Sequence, residues 1–353
     1  MASLAQAIRM ALAYGEQKLE VTDIFGQDVG PPLGGAFTVT QGLTTSWNSP
    51  LDERGIIGMA TGLGLAGKRC VAEIQFCDYI FNTIDLLKLA GNACWSSNGE
   101  YNVPIVVMTP VGSGIHGSIY HSHSFDAWGS RIPGWKVVMP STSLDAYGLM
   151  LSAILDPNPV MYLIPKALMR AKGEELIPGE PANDKELREM IDAPVDPKLR
   201  ANWKARWPKL EEYLVPIGKA KHVREGNAAT VISYGRQMPI VTAIADRLAG
   251  QGIDYDVFDL RTIYPYDWQA IRASIEKTGR VLFVNEDTEI SNFGEHLLRR
   301  TCDELFYSLK VRPRLLAGKH IPGIGICPTL EDVSVPQENH IEAEMLSLVQ
   351  EPS

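Results

Sequence analysis

The chain has 353 residues, enough for two domains of ordinary size. It is 45% apolar and 21% charged, the balance of a folded globular protein, and it carries a net charge of −9. With no sustained basic run, nucleic acid is excluded as the main partner, and no apolar run is long enough for a membrane-spanning helix.

Residues 3–19 read as a helix, with Leu4, Ile8, Ala11 and Leu12 at helical spacing. Val21–Phe25 is a short strand ending at Gly26, and residues 30–43, rich in Gly, Pro and Thr, form a loop. Ser49-Pro50-Leu51-Asp52-Glu53 then leads into a helix. Pro50 suits the turn before it, and Asp52 and Glu53 suit its first turn, where the helix dipole is positive. From Gly55 onward no charge occurs until Lys68, so the helix body is expected to be buried. A carboxylate at the mouth of such a segment suits proton chemistry, because desolvation raises its pKa. The blander reading is that Glu53 only caps the helix.

Cys70–Phe76 is a strand, Tyr79–Cys94 helical, and Pro104–Thr109 a continuous apolar strand of the buried, parallel kind. Trp135–Pro140 and Pro159–Leu163 are further strands, with a helix at Asp145–Leu155 between them. Residues 171–214 are highly charged and broken by five prolines, and read as a linker in which Trp203 and Trp207 anchor a short helix. Beyond Val215 come strands at Ala229–Gly235, Tyr255–Leu260 and Arg280–Val284, alternating with helices at Pro239–Leu248, Ile271–Lys277 and Glu295–Leu309. The fold class is therefore α/β. Two domains, residues 1–170 and 215–353, each carry a parallel sheet with a mixed edge, covered by helices, and flank the 171–214 linker.

Four patterns carry chemistry: the Glu53 segment; Glu73–Phe81, where Gln75 and Tyr79 follow a buried strand; Gly112–Ser124, a glycine-rich loop with His116, His121 and His123; and Asp259–Asp267. Ligands bind at the carboxyl ends of strands in open α/β sheets, although Gln75 and Tyr79 could simply satisfy buried backbone. The histidine spacing lacks the helical i, i+4 zinc signature, so no metal is expected there. The five cysteines (70, 77, 94, 302 and 327) form no CxxC pair, and the first residues show no charged-then-apolar leader pattern. A reducing cytoplasm is the expected setting.

In this order, the patterns resemble the β subunit of the E1 component of 2-oxo acid dehydrogenase complexes, a family with pyruvate, branched-chain and acetoin members within the wider transketolase group. The likeness rests on Pro50–Gly58, Glu73–Phe76 with Asp78–Phe81, Tyr120–Ser124, Pro133-Gly134 before Lys136–Val138, and Asp259–Thr262, and it extends from about Leu4 to Leu348. It implies a thiamine-diphosphate pyrimidine-binding domain followed by a transketolase C-terminal-like domain. It assigns catalytic roles to Glu53, at the aminopyrimidine of thiamine diphosphate, and to His121, in acyl transfer to lipoamide. Leu51, Glu53, Gln75 and Tyr79 match cofactor-binding positions. Pro104, Val106, Val107, Ala153, Asp156 and Asn158 look like the family's monovalent-cation site, with K⁺ held mostly by backbone carbonyls.

The Gly-Asp-Gly motif by which this family's other half holds Mg²⁺ and the diphosphate does not occur in the chain. The resemblance therefore implies an E1 α subunit in an α2β2 heterotetramer, with a lipoyl-bearing E2 core as further partner. The sequence departs from the family at Gln27, Arg131, Ile164 and Asn285, and at Cys94–Ser97. Two other readings stay open: a two-subunit transketolase or carboligase with no lipoyl step, and a non-catalytic assembly subunit.

Overall fold

The computed structural model describes residues 1–200 and 202–352, and divides into two compact units. The first comprises residues 1–110, 132–164 and 168–217; the second takes 111–131, 165–167 and the chain from 218 onward.

In the first unit, α1 (Leu4–Lys18) begins at a capping box in which Ser3 and Gln6 bond each other's backbone. It packs on the helix Ser143–Leu155, and both belong to one apolar core. The strands β1 (Val21–Gly26), β2 (Ser46–Asn48), β3 (Arg69–Glu73), β4 (Ile105–Val111), β5 (Lys136–Val138) and β6 (Val160–Pro165) lie in the order β5-β6-β4-β3-β1-β2. Pairing is parallel between β1 and both β2 and β3, between β3 and β4, and between β5 and β6. β2 has only three residues and was not expected; flanking turns conceal so short a strand.

The second helix, α2 (Glu53–Leu65), departs from expectation. Its charge-free body buries Ile56, Ile57, Ala60, Thr61 and Gly64, but Gly58, Met59, Gly62 and Leu65 face outward. Apolar composition therefore marks two faces: one packs on this unit's core and the other is bare. The expected Tyr79–Cys94 helix is a 3₁₀ segment, Cys77–Thr83, running into α3 (Ile84–Ser96). Helix α3 meets the Pro133-Gly134 turn so closely that a Cβ at Gly134 would lie 1.7 Å from the Gly91 carbonyl oxygen. The Trp135 indole N–H donates to Leu87 O there, at 2.7 Å.

The 171–214 stretch packs within the first unit. Ile177, Leu187 and Ile191 are buried in its core, and Arg9, itself 2% exposed, pairs with Asp192 and donates to Ile191 O. Helices form at Asp184–Ile191 and Pro197–Arg200, whereas Trp203 and Trp207 lie in irregular chain, Trp207 against the core.

The second unit holds a five-stranded sheet. In order these are Arg314–Gly318, Val281–Thr288, Thr230–Ser233, Asp256–Asp259 and the edge strand Lys221–Arg224. The edge strand runs antiparallel to its neighbour, and the other pairings are parallel. Asp256, buried at this edge, accepts from His222 Nε2 (2.8 Å), Gly226 N (3.1 Å), Ser274 Oγ (2.5 Å) and Lys277 Nζ (2.9 Å). These four donors hold its carboxylate below the usual range against the opposing cost of burial. The closing helix, Glu338–Gln350, seats Ile341, Met345 and Leu348 in this unit's core.

Candidate active site

In the first unit, β1 and β3 end side by side, with Gly26 opposite Glu73. A Cβ at Gly26 would lie 2.4 Å from the Glu73 carbonyl oxygen, so glycine permits this approach. Beyond β3 the chain carries Gln75 and Tyr79, and beyond β1 it carries Asp28. Gln75 Nε2 donates to Asp28 Oδ2 at 3.2 Å. That bond fixes the amide, so its oxygen is the group left for another donor. Ser49 N returns to Gly26 O at 3.0 Å and starts α2 at the same strand end. The helix N-cap is Asp52, whose side chain makes no capping bond, and Glu53 is the first helical residue, half-buried.

Tyr79 is half-buried, and its phenol is pushed above the usual value by burial, then by the charges of Asp78 and Glu53. Glu53 and Tyr79 thus share one electrostatic neighbourhood. Leu51 is 70% exposed beside them, an apolar side chain set next to a carboxylate. Arg54 faces away, bidentate on Asp85 (2.6 and 2.8 Å), and ties α2 to α3. The four residues expected at the cofactor therefore stand around the ends of β1 and β3. Two further groups were not anticipated. Asp28 orients Gln75, and Glu73, 2% exposed, has its carboxyl raised to about 8 by burial and then by Asp28. Glu73 is the lone charge in the apolar run from Cys70 to Phe76, which is the signal that marks it.

The cation-site residues also lie in the first unit. Pro104 precedes β4, Val106 and Val107 are within it, and Ala153 is near the end of the helix that Asp156 closes. Asp156 pairs with Lys136 and accepts from Asn158 N at 3.0 Å, while Asn158 Oδ1 is buried without a hydrogen-bond partner. That orphaned oxygen suits a hard cation, although the Lys136 ammonium already neutralises the carboxylate. Among the described residues, no three or more His, Cys, Asp or Glu gather to hold a metal ion.

His121 belongs to the second unit. It is half-buried, and its Nδ1 meets Gly117 O at 3.0 Å. A carbonyl only accepts, so Nδ1 carries the proton in this contact. His116 turns instead to Glu331, 2.5 Å from Nδ1 to Oε2. Nearby, Ser118, Ser122, His123 and Asp287 wall a cavity of about 280 Å³.

Two of the departures, Asn285 and Arg131, find structural uses in this unit. Asn285, buried, exchanges two bonds with Asn292 (2.7 and 2.8 Å), the residue that caps the helix Phe293–Leu305. Arg131 lies over Trp128, 5.5 Å from the ring centre, and donates to Ser291 O.

Residues 1–172 match the model of the transketolase pyrimidine binding domain, and 218–341 that of the transketolase C-terminal domain. The chain is 34% identical to the 2-oxoisovalerate dehydrogenase subunit beta of Bacillus subtilis over 99% of its own length and 98% of that protein's. The chain belongs to the family of 2-oxo acid dehydrogenase E1 β subunits. The pyruvate dehydrogenase E1 component subunit beta of Acholeplasma laidlawii is 33% identical to this E1 β chain, covering 90% of it and 89% of the relative. A solved split-gene transketolase, in an inactive β4 tetramer, superimposes over the full length of both chains with a TM-score of 0.72 and 16% identity, a likeness of fold. No helix among the described residues is long and apolar enough to cross a membrane.

Proposed function

We propose that this E1 β chain works with an α subunit to decarboxylate a 2-oxo acid and pass the acyl group to a lipoyl group on an E2 core. The observation that carries the proposal is the grouping of Leu51, Glu53, Gln75 and Tyr79 around the ends of β1 and β3, within the stretch that matches a pyrimidine-binding domain. These residues suit the aminopyrimidine of thiamine diphosphate. Leu51 would offer apolar surface, the Gln75 amide oxygen would accept, and Glu53 would hold a hydrogen bond to a ring nitrogen. The cofactor, when bound, supplies the electron sink that lets the 2-oxo acid lose CO₂.

In the overall reaction the bond to the carboxylate carbon breaks and CO₂ leaves. The acyl carbon bonds to one lipoyl sulfur, the S–S bond opens, and the second sulfur takes a proton. His121 is the proposed donor of that proton, from Nε2 of its doubly protonated ring.

With no Gly-Asp-Gly motif here, Mg²⁺ and the diphosphate are assigned to the α subunit in an α2β2 assembly. The bare apolar face of α2, with Met59 and Leu65 42% and 47% exposed, supports a partner there. In this reading residues 1–170 form the pyrimidine-binding domain, 215–353 the C-terminal domain and 171–214 the segment joining them, in a reducing cytoplasm. The Glu53→Ala chain should still assemble with α but lose about 10²- to 10⁴-fold in 2-oxo acid turnover. Full turnover in the assembled variant would sink the proposal, and no acylation of a lipoyl domain by the wild-type complex with any 2-oxo acid would favour a carboligase.

The proposal extends to a monovalent cation on Asn158 Oδ1, with the carbonyls of Pro104, Val106, Val107 and Ala153 and with Asp156 as its surroundings. KCl at about 100 times its dissociation constant should stabilise the chain by about 2.7 kcal/mol over NaCl in thermal melts. That difference should vanish in Asn158→Leu; equal melts of the wild type in the two salts would remove the cation.

A further inference from the structure

We propose that Glu286 and Glu331 are positioning residues for His121, clamping the loop that carries it; this rests on His121 being the acyl-transfer residue. The loop runs from Gly112 to His123 and is closed by Gly112 N donating to His123 O at 2.8 Å. Between these ends, alternate residues are left-handed: Gly112 (φ +82°), Gly114 (+102°), His116 (+55°) and Ser118 (+63°). Glycine adopts these angles freely, whereas at His116 and Ser118 the side chain makes them strained. Such backbone persists only where its surroundings over-determine it.

Two buried carboxylates do so. Glu286, from the strand Val281–Thr288, accepts from Ser113 N (3.1 Å) and Ser113 Oγ (3.0 Å), with Arg236 at 3.7 Å. Glu331, from the helix Pro328–Ser334, accepts from Gly114 N, from His116 N (3.1 Å) and from His116 Nδ1 (2.5 Å). The two side chains are only 8% and 3% exposed. Their ionic hydrogen bonds are roughly twice as strong as neutral ones. The fit is tight, since a Cβ at Gly112 would come within 2.1 Å of Glu286 Oε1.

The consequence reaches His121 through the backbone. Its Nδ1 is set by the Gly117 carbonyl, one residue beyond His116, and a Cβ at Gly117 would lie 2.7 Å from the His121 Cβ. Fixing residues 113, 114 and 116 therefore fixes the ring. A misplacement of about 1 Å at a reacting group costs up to about 10²-fold in rate.

The test uses the assembled complex with α. Turnover of the 2-oxo acid with an artificial electron acceptor does not need the lipoyl step, whereas acylation of a lipoyl domain does. Glu331→Gln keeps the size of the side chain but removes the charge. It should lower kcat for lipoyl acylation about 10- to 100-fold, leave KM for the 2-oxo acid and the artificial-acceptor rate within about twofold, and speed amide hydrogen exchange over residues 113–121. Glu286→Gln should act in the same direction and carries the test by itself if the first variant does not fold. Acylation at the wild-type rate, or an equal loss in both assays, would overturn the clamp. His121→Ala is scored separately: unchanged acylation there refutes the role of His121, while loop exchange in Glu331→Gln still decides whether the clamp exists.

Discussion

Glu73 shows how much chemistry one enclosed carboxyl can hold. Burial and the Asp28 charge raise its pKa from about 4.5 to about 8, so folding favours the protonated acid. A folded pKa above the unfolded one contributes stability that is complete below about pH 4.5 and lost as pH rises through about 8. A tenfold change in proton affinity corresponds to about 1.4 kcal/mol, so the effect amounts to several kcal/mol. Glu73→Gln should remove it. In urea unfolding from pH 5 to pH 8.5 the stability of the wild type should fall relative to that of the variant, and parallel curves would refute the assignment. The sequence singles out Glu53, Gln75 and Tyr79 because each stands at the edge of an apolar segment, and the family resemblance alone gives them a proposed role at the cofactor. Asp28 is not singled out, since nothing local indicates that its partner lies 47 residues away.

At the scale of elements, α2 separates what composition can reveal from what it cannot. A charge-free run announces burial, but it does not say whether the covering surface belongs to the same chain. Gly62 is the test position, because nothing lies within 4 Å of a Cβ added there. Gly62→Leu should raise the stability of the isolated chain by about 1 kcal/mol through helix propensity, yet prevent co-purification with α by filling the contact face. Normal assembly would show that α2 does not face the partner. The antiparallel edge strand Lys221–Arg224 was also missed, for it is half-exposed and polar and so carries no alternation. The last helix was not missed for want of signal, since Ile341, Met345 and Leu348 recur at i, i+4 and i+7.

For the whole molecule, the alternation of strand and helix made the α/β class and the two-part organisation readable, because parallel sheets need crossovers and both of their faces buried. What the alternation could not convey is where residues 171–214 lie. A charged, proline-broken composition looks like a tether, yet Ile177, Leu187 and Ile191 are buried in the core of the first unit, with Met190, Trp207, Leu210 and Tyr213 packed against it. Seven apolar side chains in more than forty residues change the average little, although they decide the packing.

The loop from Gly112 to His123 also bears on enzyme engineering. A library meant to broaden the acyl acceptor would naturally be randomised around His121, the residue proposed for acyl transfer. Gly112 and Gly114 admit no side chain, since a methyl group would collide with Glu286 at the first and with Ala167 at 2.6 Å at the second. His116 and Ser118 sit where most residues add strain. Most members of such a library would lose the geometry before any new specificity could be sampled, so diversity is better placed at Ile119 and Tyr120, which are 54% and 65% exposed.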